Sequence, residues 1–252
     1  MSALTLSPTP TQKKPKRQIL VKAEQFFIGN FDTLVCEFLG SSLFTFLGSA
    51  SSNVASSGLG PAFGNAISLT SVLYLLSNDE GSGKLNPAAS LSFLLAGKSS
   101  VIQCVWEVIV QICGALAGAA LLNELSPNAK NGCFIPTTSD AKVFAFELIG
   151  TCLLLGVCYS TSTKKYSTTA PLAIGLSLFA AAQAVGPFTG GCLNPARYVA
   201  NIGLGCNAKK FIPYISAQLL AAVVAAMYYW MQILLDGVRE KRKFDQIHSS
   251  DD

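Results

Sequence analysis

The chain has 252 residues, 50% of them hydrophobic and only 13% charged, with a formal net charge of +4 and a mean hydropathy of +0.44. A soluble domain carries about 25% charged residues, so this is the composition of an integral membrane protein, with no space left for a separate soluble domain. Nor is the basic excess a nucleic-acid footprint. Of 18 Lys and Arg, five (Lys13, Lys14, Lys16, Arg17, Lys22) precede the first apolar segment and four (Arg239, Lys241, Arg242, Lys243) follow the last.

Residues 1–30 form a Pro/Lys/Thr-rich tail expected to stay disordered and without the apolar core of a signal peptide. The first predicted span covers 34–52, with Glu37 just inside it. Gly60-Pro61 marks a turn, and a second span follows over 62–76. No charged residue occurs between 38 and 78, which leaves room for two spans of about 20 residues. A polar loop, 77–84, leads to Asn86 and a short helix ending near 96. The third span covers 101–122, where Gly114 to Ala119 are all small except Leu116, suited to close helix contact. A long loop, 123–140, separates the halves. The fourth span is 143–160, then comes a Ser/Thr/Lys loop over 161–169 and a fifth span over 171–185. Gly186-Pro187 opens a second re-entrant run to Asn194, whose short helix ends near 204. The sixth span is 211–235, and residues 236–252 form a C-terminal tail.

One phrase occurs twice: Leu85-Asn86-Pro87-Ala88 and Leu193-Asn194-Pro195-Ala196. Asn is a favoured helix N-cap, and Pro fits the first helical position, where a backbone N–H would have no partner anyway. Each copy therefore predicts a short helix whose free N–H groups and positive dipole end point forward. Other landmarks repeat too. Glu37 and Glu147 are 110 apart, Asn86 and Asn194 are 108 apart, and Gln111 and Gln218 are 107 apart. Three spans per half place the second half in the opposite membrane orientation. The predicted fold is an all-α membrane protein with six transmembrane helices and two re-entrant half-helices in an inverted 3+3 repeat.

In that arrangement Lys84, Lys98, Lys164 and Lys165 join the two basic ends on one side. That side holds 13 of the 18 basic residues; the other five are Lys130, Lys142, Arg197, Lys209 and Lys210. The positive-inside bias puts both termini in the cytoplasm. Five of the eight cysteines fall in predicted spans, Cys133 and Cys206 in outer loops, and Cys192 in the second re-entrant run. No metal-ligand spacing appears and the single histidine, His248, is in the tail, so neither a metal nor a cofactor is expected. Arg197, one turn past Asn194, would cost roughly 2.5–3.5 kcal/mol in a span unless it faced water or a partner. The spans hold no nucleophile–base set, so enzyme chemistry is not expected.

The doubled Asn-Pro-Ala, with Arg197 after the second copy, resembles the aquaporin (major intrinsic protein) family. The resemblance covers about 34–235, within a channel domain of 31–235 whose repeats are about 34–122 and 143–235. It implies a homotetrameric passive channel in which Asn86, Pro87, Ala88, Asn194, Pro195 and Ala196 line the pore. Glu37 and Glu147 would brace the re-entrant loops, and Arg197 would belong to a selectivity filter. Counting from the second motif, the other filter members fall on Gly191 and Ala182, with Ala66 or Phe63 from the second span.

The family's strict water-channel pattern has a histidine in the fifth span, and its glycerol-type pattern an Asp after the arginine. Here no span holds a histidine, Tyr198 follows Arg197, and Lys84 stands where the family usually has a histidine in the first loop. The expected permeants are water and small neutral solutes, with protons and ions excluded. The alternative is a wide-filter facilitator for glycerol, urea, ammonia or hydrogen peroxide. A coupled transporter would need more ionisable residues along the path than Glu37, Glu147, Glu107 and Arg197. A membrane-junction role would need outer loops built for it. The plasma membrane is the default location, an intracellular membrane the alternative, with membrane lipid and no nucleic acid as partners. Glu107, one turn before Gln111, is expected to face inward or reach the headgroups.

Overall fold

The computed structural model describes residues 29–54, 59–76, 83–127, 132–161, 168–206 and 209–248, together with Gln25. The tail predicted for 1–30 lies almost wholly outside the described residues, as do 162–167 of the Ser/Thr/Lys loop and the last four residues. Among the described residues there is no strand.

The helices are α1 (Phe31–Val54), α2 (Gly60–Leu75), α3 (Pro87–Leu95), α4 (Val101–Leu125), α5 (Asp140–Thr161), α6 (Ala170–Thr189), α7 (Pro195–Ala200) and α8 (Phe211–His248). Five of them (α1, α4, α5, α6 and α8) are long and apolar enough to cross a membrane. The sixth crossing is α2, whose 16 residues rise about 24 Å alongside α1 and α6. Local signals set the starts. Pro61 and Pro171 occupy first-turn positions, and the Ser100 hydroxyl accepts from Gln103 N at 3.1 Å to cap α4.

Three boundaries depart furthest from the sequence reading. Helix α6 runs to Thr189, through Pro187, instead of stopping at 185. A proline near a helix end forfeits one hydrogen bond without ending the turn, and the stop is made by Gly190, at φ 84°. Helix α7 ends at Ala200, and its exit is turns to Gly205 instead of helix to 204. Helix α8 continues past the span limit of 235 to His248, through the charged run that follows.

The two halves use the same helix pairings. Helix α1 lies on α4 as α5 lies on α8, and α1 touches α2 as α5 touches α6. Small residues allow the first of these crossings. A Cβ on Gly114 would sit 2.2 Å from Phe38 O, and one on Gly118 2.1 Å from Ser42 O, so the backbones touch there. The equivalent stripe in the second half is Ala221 and Ala225, at 0% and 2% exposure. The half-helices are exchanged: α3 packs chiefly on α8 of the other half, and α7 on α4. This exchange, with α2 against α6, joins the repeats. Leu85 and Leu193 meet there, with Leu69, Leu73, Leu178 and Val185 around them.

Burial is inverted relative to a soluble protein. Glu37, Glu107, Gln111, Glu147 and Gln218 are fully buried, whereas Leu39, Val105, Ile149, Leu176 and Leu234 stand exposed on outer helix faces. An apolar exterior around polar buried groups is what lipid contact demands.

Candidate functional site

The site is where the chain breaks out of helix twice. Leu85 and Leu193 each take φ 54°, in the left-handed region that costs a branched side chain about 1–2 kcal/mol. Their N–H groups are turned onto buried carboxylates. Glu37 accepts from Lys84 N at 2.7 Å, Leu85 N at 2.8 Å and Gln111 Nε2 at 2.8 Å. Glu147 accepts from Cys192 N at 3.1 Å, Leu193 N at 2.9 Å and Gln218 Nε2 at 2.8 Å. The Thr189 hydroxyl adds a further bond to Glu147 at 2.6 Å and accepts from Gly191 N at 3.0 Å. Carboxylates that take several such donors hold the loops in a conformation their own residues would leave.

Each asparagine then does two things. Asn86 Oδ1 accepts from Ala88 N, and Asn194 Oδ1 from Ala196 N, both at 2.9 Å, capping α3 and α7. Asn86 Nδ2 donates to Leu193 O at 3.0 Å, and Asn194 Nδ2 to Leu85 O at 2.8 Å. The loops are thus cross-stitched, and since an amide nitrogen carries two hydrogens, one N–H remains on each. With exposures of 5% and 3%, these groups sit deep in the molecule at the facing N-termini of two half-helices.

Arg197 is 3% exposed. Its Nη1 donates to Asn65 Oδ1 and its Nη2 to Ser49 Oγ at 3.4 Å. Its guanidinium carbon lies 4.5 Å from the Phe44 ring centre and 5.2 Å from that of Phe134. Nε finds no acceptor among the described residues. A buried cation with neutral partners and two aromatic faces is thereby held without a counter-charge among the described residues.

Of the other filter positions, Gly191 and Ala182 do come together: a Cβ on Gly191 would lie 3.2 Å from Ala182 Cβ. Neither second-span candidate is among the hydrogen-bond or ring partners of Arg197. Phe63 is 55% exposed and sits edge-on to Phe179, 5.9 Å between ring centres. Ala66 is buried, with its carbonyl against Gly175 of α6. The residue of α2 that reaches the arginine is Asn65, which the sequence reading passes over, as it does Ser49, Phe44 and Phe134. An amide inside an uncharged span was the available signal for Asn65; no comparable signal marks the others.

Two more groupings flank the site. Lys84 Nζ pairs with Glu107, itself bonded by Gln103 Nε2 at 2.9 Å, so Glu107 is the counter-charge of the first loop's lysine. On the opposite side Cys133 and Cys206 form a disulfide, their Cα atoms 5.9 Å apart. The other six cysteines form no disulfide, and no group of His, Cys, Asp or Glu able to hold a metal occurs among the described residues.

Comparison with known proteins places this geometry. The model of the major intrinsic protein family matches residues 26–229. The chain is 30% identical to lens fiber major intrinsic protein of Gallus gallus over 208 residues, 78% of this chain and 79% of that one. It is 34% identical to aquaporin-8 of Rattus norvegicus over 176 residues, 65% of this chain and 66% of the relative. Among solved structures, the aquaglyceroporin from Plasmodium falciparum shares the fold, with a TM-score of 0.67 at 21% identity, covering 79% of this chain and 95% of that one.

Proposed function

We propose, on the premise that this chain belongs to the major intrinsic protein family and is therefore a membrane channel and not an enzyme, that water crosses it where the two half-helices meet. The observation that carries this reading is the pair of cross-stitched asparagines, each with a free N–H at a positive helix end. A water that accepts from both cannot readily donate along the same axis, and the converging dipoles repel cations; both effects oppose proton and ion passage. Arg197 adds a positive barrier on the side of the disulfide, with Nε as a donor for the permeant.

A second reading has a specific observation behind it. Arg197 is drawn toward α1 and α2 by Ser49 and Asn65, while Ala182 and Gly191 supply only small groups on the far side. That combination favours an opening wide enough for glycerol, urea, ammonia or hydrogen peroxide as well as water. The filter set under this proposal is Asn65, Ala182, Gly191 and Arg197.

The disulfide supports a topology in which its face lies outside the cytosol, because such bonds persist in oxidising compartments. Both termini would then be cytoplasmic, in agreement with the basic-residue count, and the plasma membrane is the proposed site. The tetramer implied by the resemblance would cover part of the apolar outer face of α2, where Phe63, Ile67 and Leu75 are exposed.

Stopped-flow light scattering on proteoliposomes tests the reading. Glycerol and urea uptake well above that of empty vesicles, with Arg197→Ala admitting more of both, would support the wide filter. Water flux without solute uptake would confine the channel to water. No flux of any permeant would remove the proposal.

A further inference from the structure

The Cys133–Cys206 bond lies one residue from a ring that faces the filter arginine, and we propose that it is a redox-sensitive positioning device: it holds Phe134 across Arg197, and its reduction opens the outer constriction to bulkier neutral solutes. The inference rests on the pathway passing Arg197, as proposed above.

Cys133 belongs to the segment between α4 and α5, and Cys206 to the exit of half-helix α7; the bond closes a separation of 73 residues. It thus ties the connection between the repeats to the half-helix that carries Arg197. Phe134, the next residue, is buried at 7% exposure. Its backbone lies on the second re-entrant loop, since a Cβ on Gly190 would sit 3.0 Å from Phe134 Cα. Its ring, 5.2 Å from the guanidinium, therefore stands beside Gly190 and Arg197 at once.

The tethers of this segment are uneven. Its α5 end is pinned by Thr137, with N to Phe188 O at 3.0 Å and Oγ1 to Pro187 O at 2.9 Å, and by Lys210 Nζ on Thr138 O. At the Phe134 end the backbone has one long hydrogen bond among the described residues, Phe134 N to Asn201 Oδ1 at 3.4 Å, while the ring packs with Tyr198 and Tyr214. The disulfide is the covalent tether of that end. Both cysteines are partly exposed, so a thiol in the surrounding water can reach them.

The chemistry balances with a small dithiol as reductant. Its thiolate attacks one sulfur of the bond and expels the other as thiolate, giving a mixed disulfide. The reductant's second thiolate then displaces the protein sulfur and closes a cyclic disulfide. Two electrons pass to the protein, two protons from water complete Cys133 and Cys206 as thiols, and the dithiol is oxidised. No other disulfide is available to it, since the remaining six cysteines are not disulfide-bonded.

The test is permeability of proteoliposomes to glycerol and to water, measured on the same vesicles before dithiothreitol, after it, and after reoxidation. Taking the glycerol-to-water ratio cancels the amount of folded channel. Reduction should raise the ratio several-fold, reoxidation should restore it, and Cys133→Ser/Cys206→Ser should start high and ignore the reductant. Phe134→Ala should raise the ratio with the disulfide intact. Wild-type protein shown by mass spectrometry to be reduced, yet with an unchanged ratio, would overturn the device, as would an unchanged ratio in Phe134→Ala. Absence of both fluxes in oxidised and reduced protein alike would instead overturn the channel reading on which it rests.

Discussion

Leu85 and Leu193 share φ 54°, and Asn86 and Asn194 stand at −155° and −154°, so the first and second repeats present nearly the same backbone to the midplane. Their flanks differ. Four residues before the glutamine, repeat one has Glu107, paired with Lys84, whereas repeat two has Tyr214, donating to Thr189 O. Beside the loop leucine, repeat one has Lys84, whereas repeat two has Cys192, whose thiol lies 3.1 Å from Asn194 O. Among the described residues, only repeat two has a hydroxyl, that of Thr189, on its brace and a disulfide at its mouth. The lesson is about constraint. Backbone at membrane depth must be satisfied from within, which fixes the centre to one solution, while the two mouths face different compartments and are free to diverge.

The most damaging way to break the symmetry is to remove a brace. Glu147→Leu would strand four buried donors at about 1–3 kcal/mol each, comparable with a whole folding margin of roughly 5–15 kcal/mol. We expect no monodisperse folded protein on size exclusion in detergent; a well-folded variant would show that the loop needs no carboxylate.

Lys84→Met probes the asymmetry itself. It leaves Glu107, 0% exposed, without its cation, at a cost of about 3–5 kcal/mol read as a lower thermal midpoint. Lys84→Met combined with Glu107→Met should recover most of the loss, and failure to recover would mean that Glu107 serves something other than Lys84.

The centre of the comparison is sharpened by Asn86→Ala and Asn194→Ala. Each loses a cap and one cross-loop bond, together about 2 kcal/mol. The two midpoints should fall together, and a wide difference would contradict the equivalence of the repeats. The smallest effect is expected from Thr189→Val, about 1 kcal/mol, since the equivalent position of repeat one is Gly81 and has no hydroxyl to lose.

The centre of this molecule was legible in its sequence because its requirements are local or repeat at a fixed offset. A charged or amide side chain inside a span needs a reason, and Glu37, Glu147, Gln111 and Gln218 occur in pairs that announce it. Asn-Pro states both a cap and a first helical residue. The unread features depend on contacts between distant segments. Nothing local says that α3 leans on α8 instead of α4, or that Asn65 meets Arg197 across 132 residues. Counting alone left Ala66 and Phe63 as equals, because it carries no information about which side of α2 faces inward. Cys133 and Cys206 could be placed in outer loops but not paired, since pairing requires Cα atoms within reach. Pro187 misled at the end of α6 because a proline marks a helix end only where its missing bond cannot be spared.

The account stands most directly on the temperature dependence of osmotic water flux in proteoliposomes of the oxidised wild-type protein. A pore through the paired asparagines predicts flux far above that of protein-free vesicles, linear in the osmotic gradient, with a much shallower temperature dependence than lipid. Flux and temperature dependence equal to those of protein-free vesicles would contradict it.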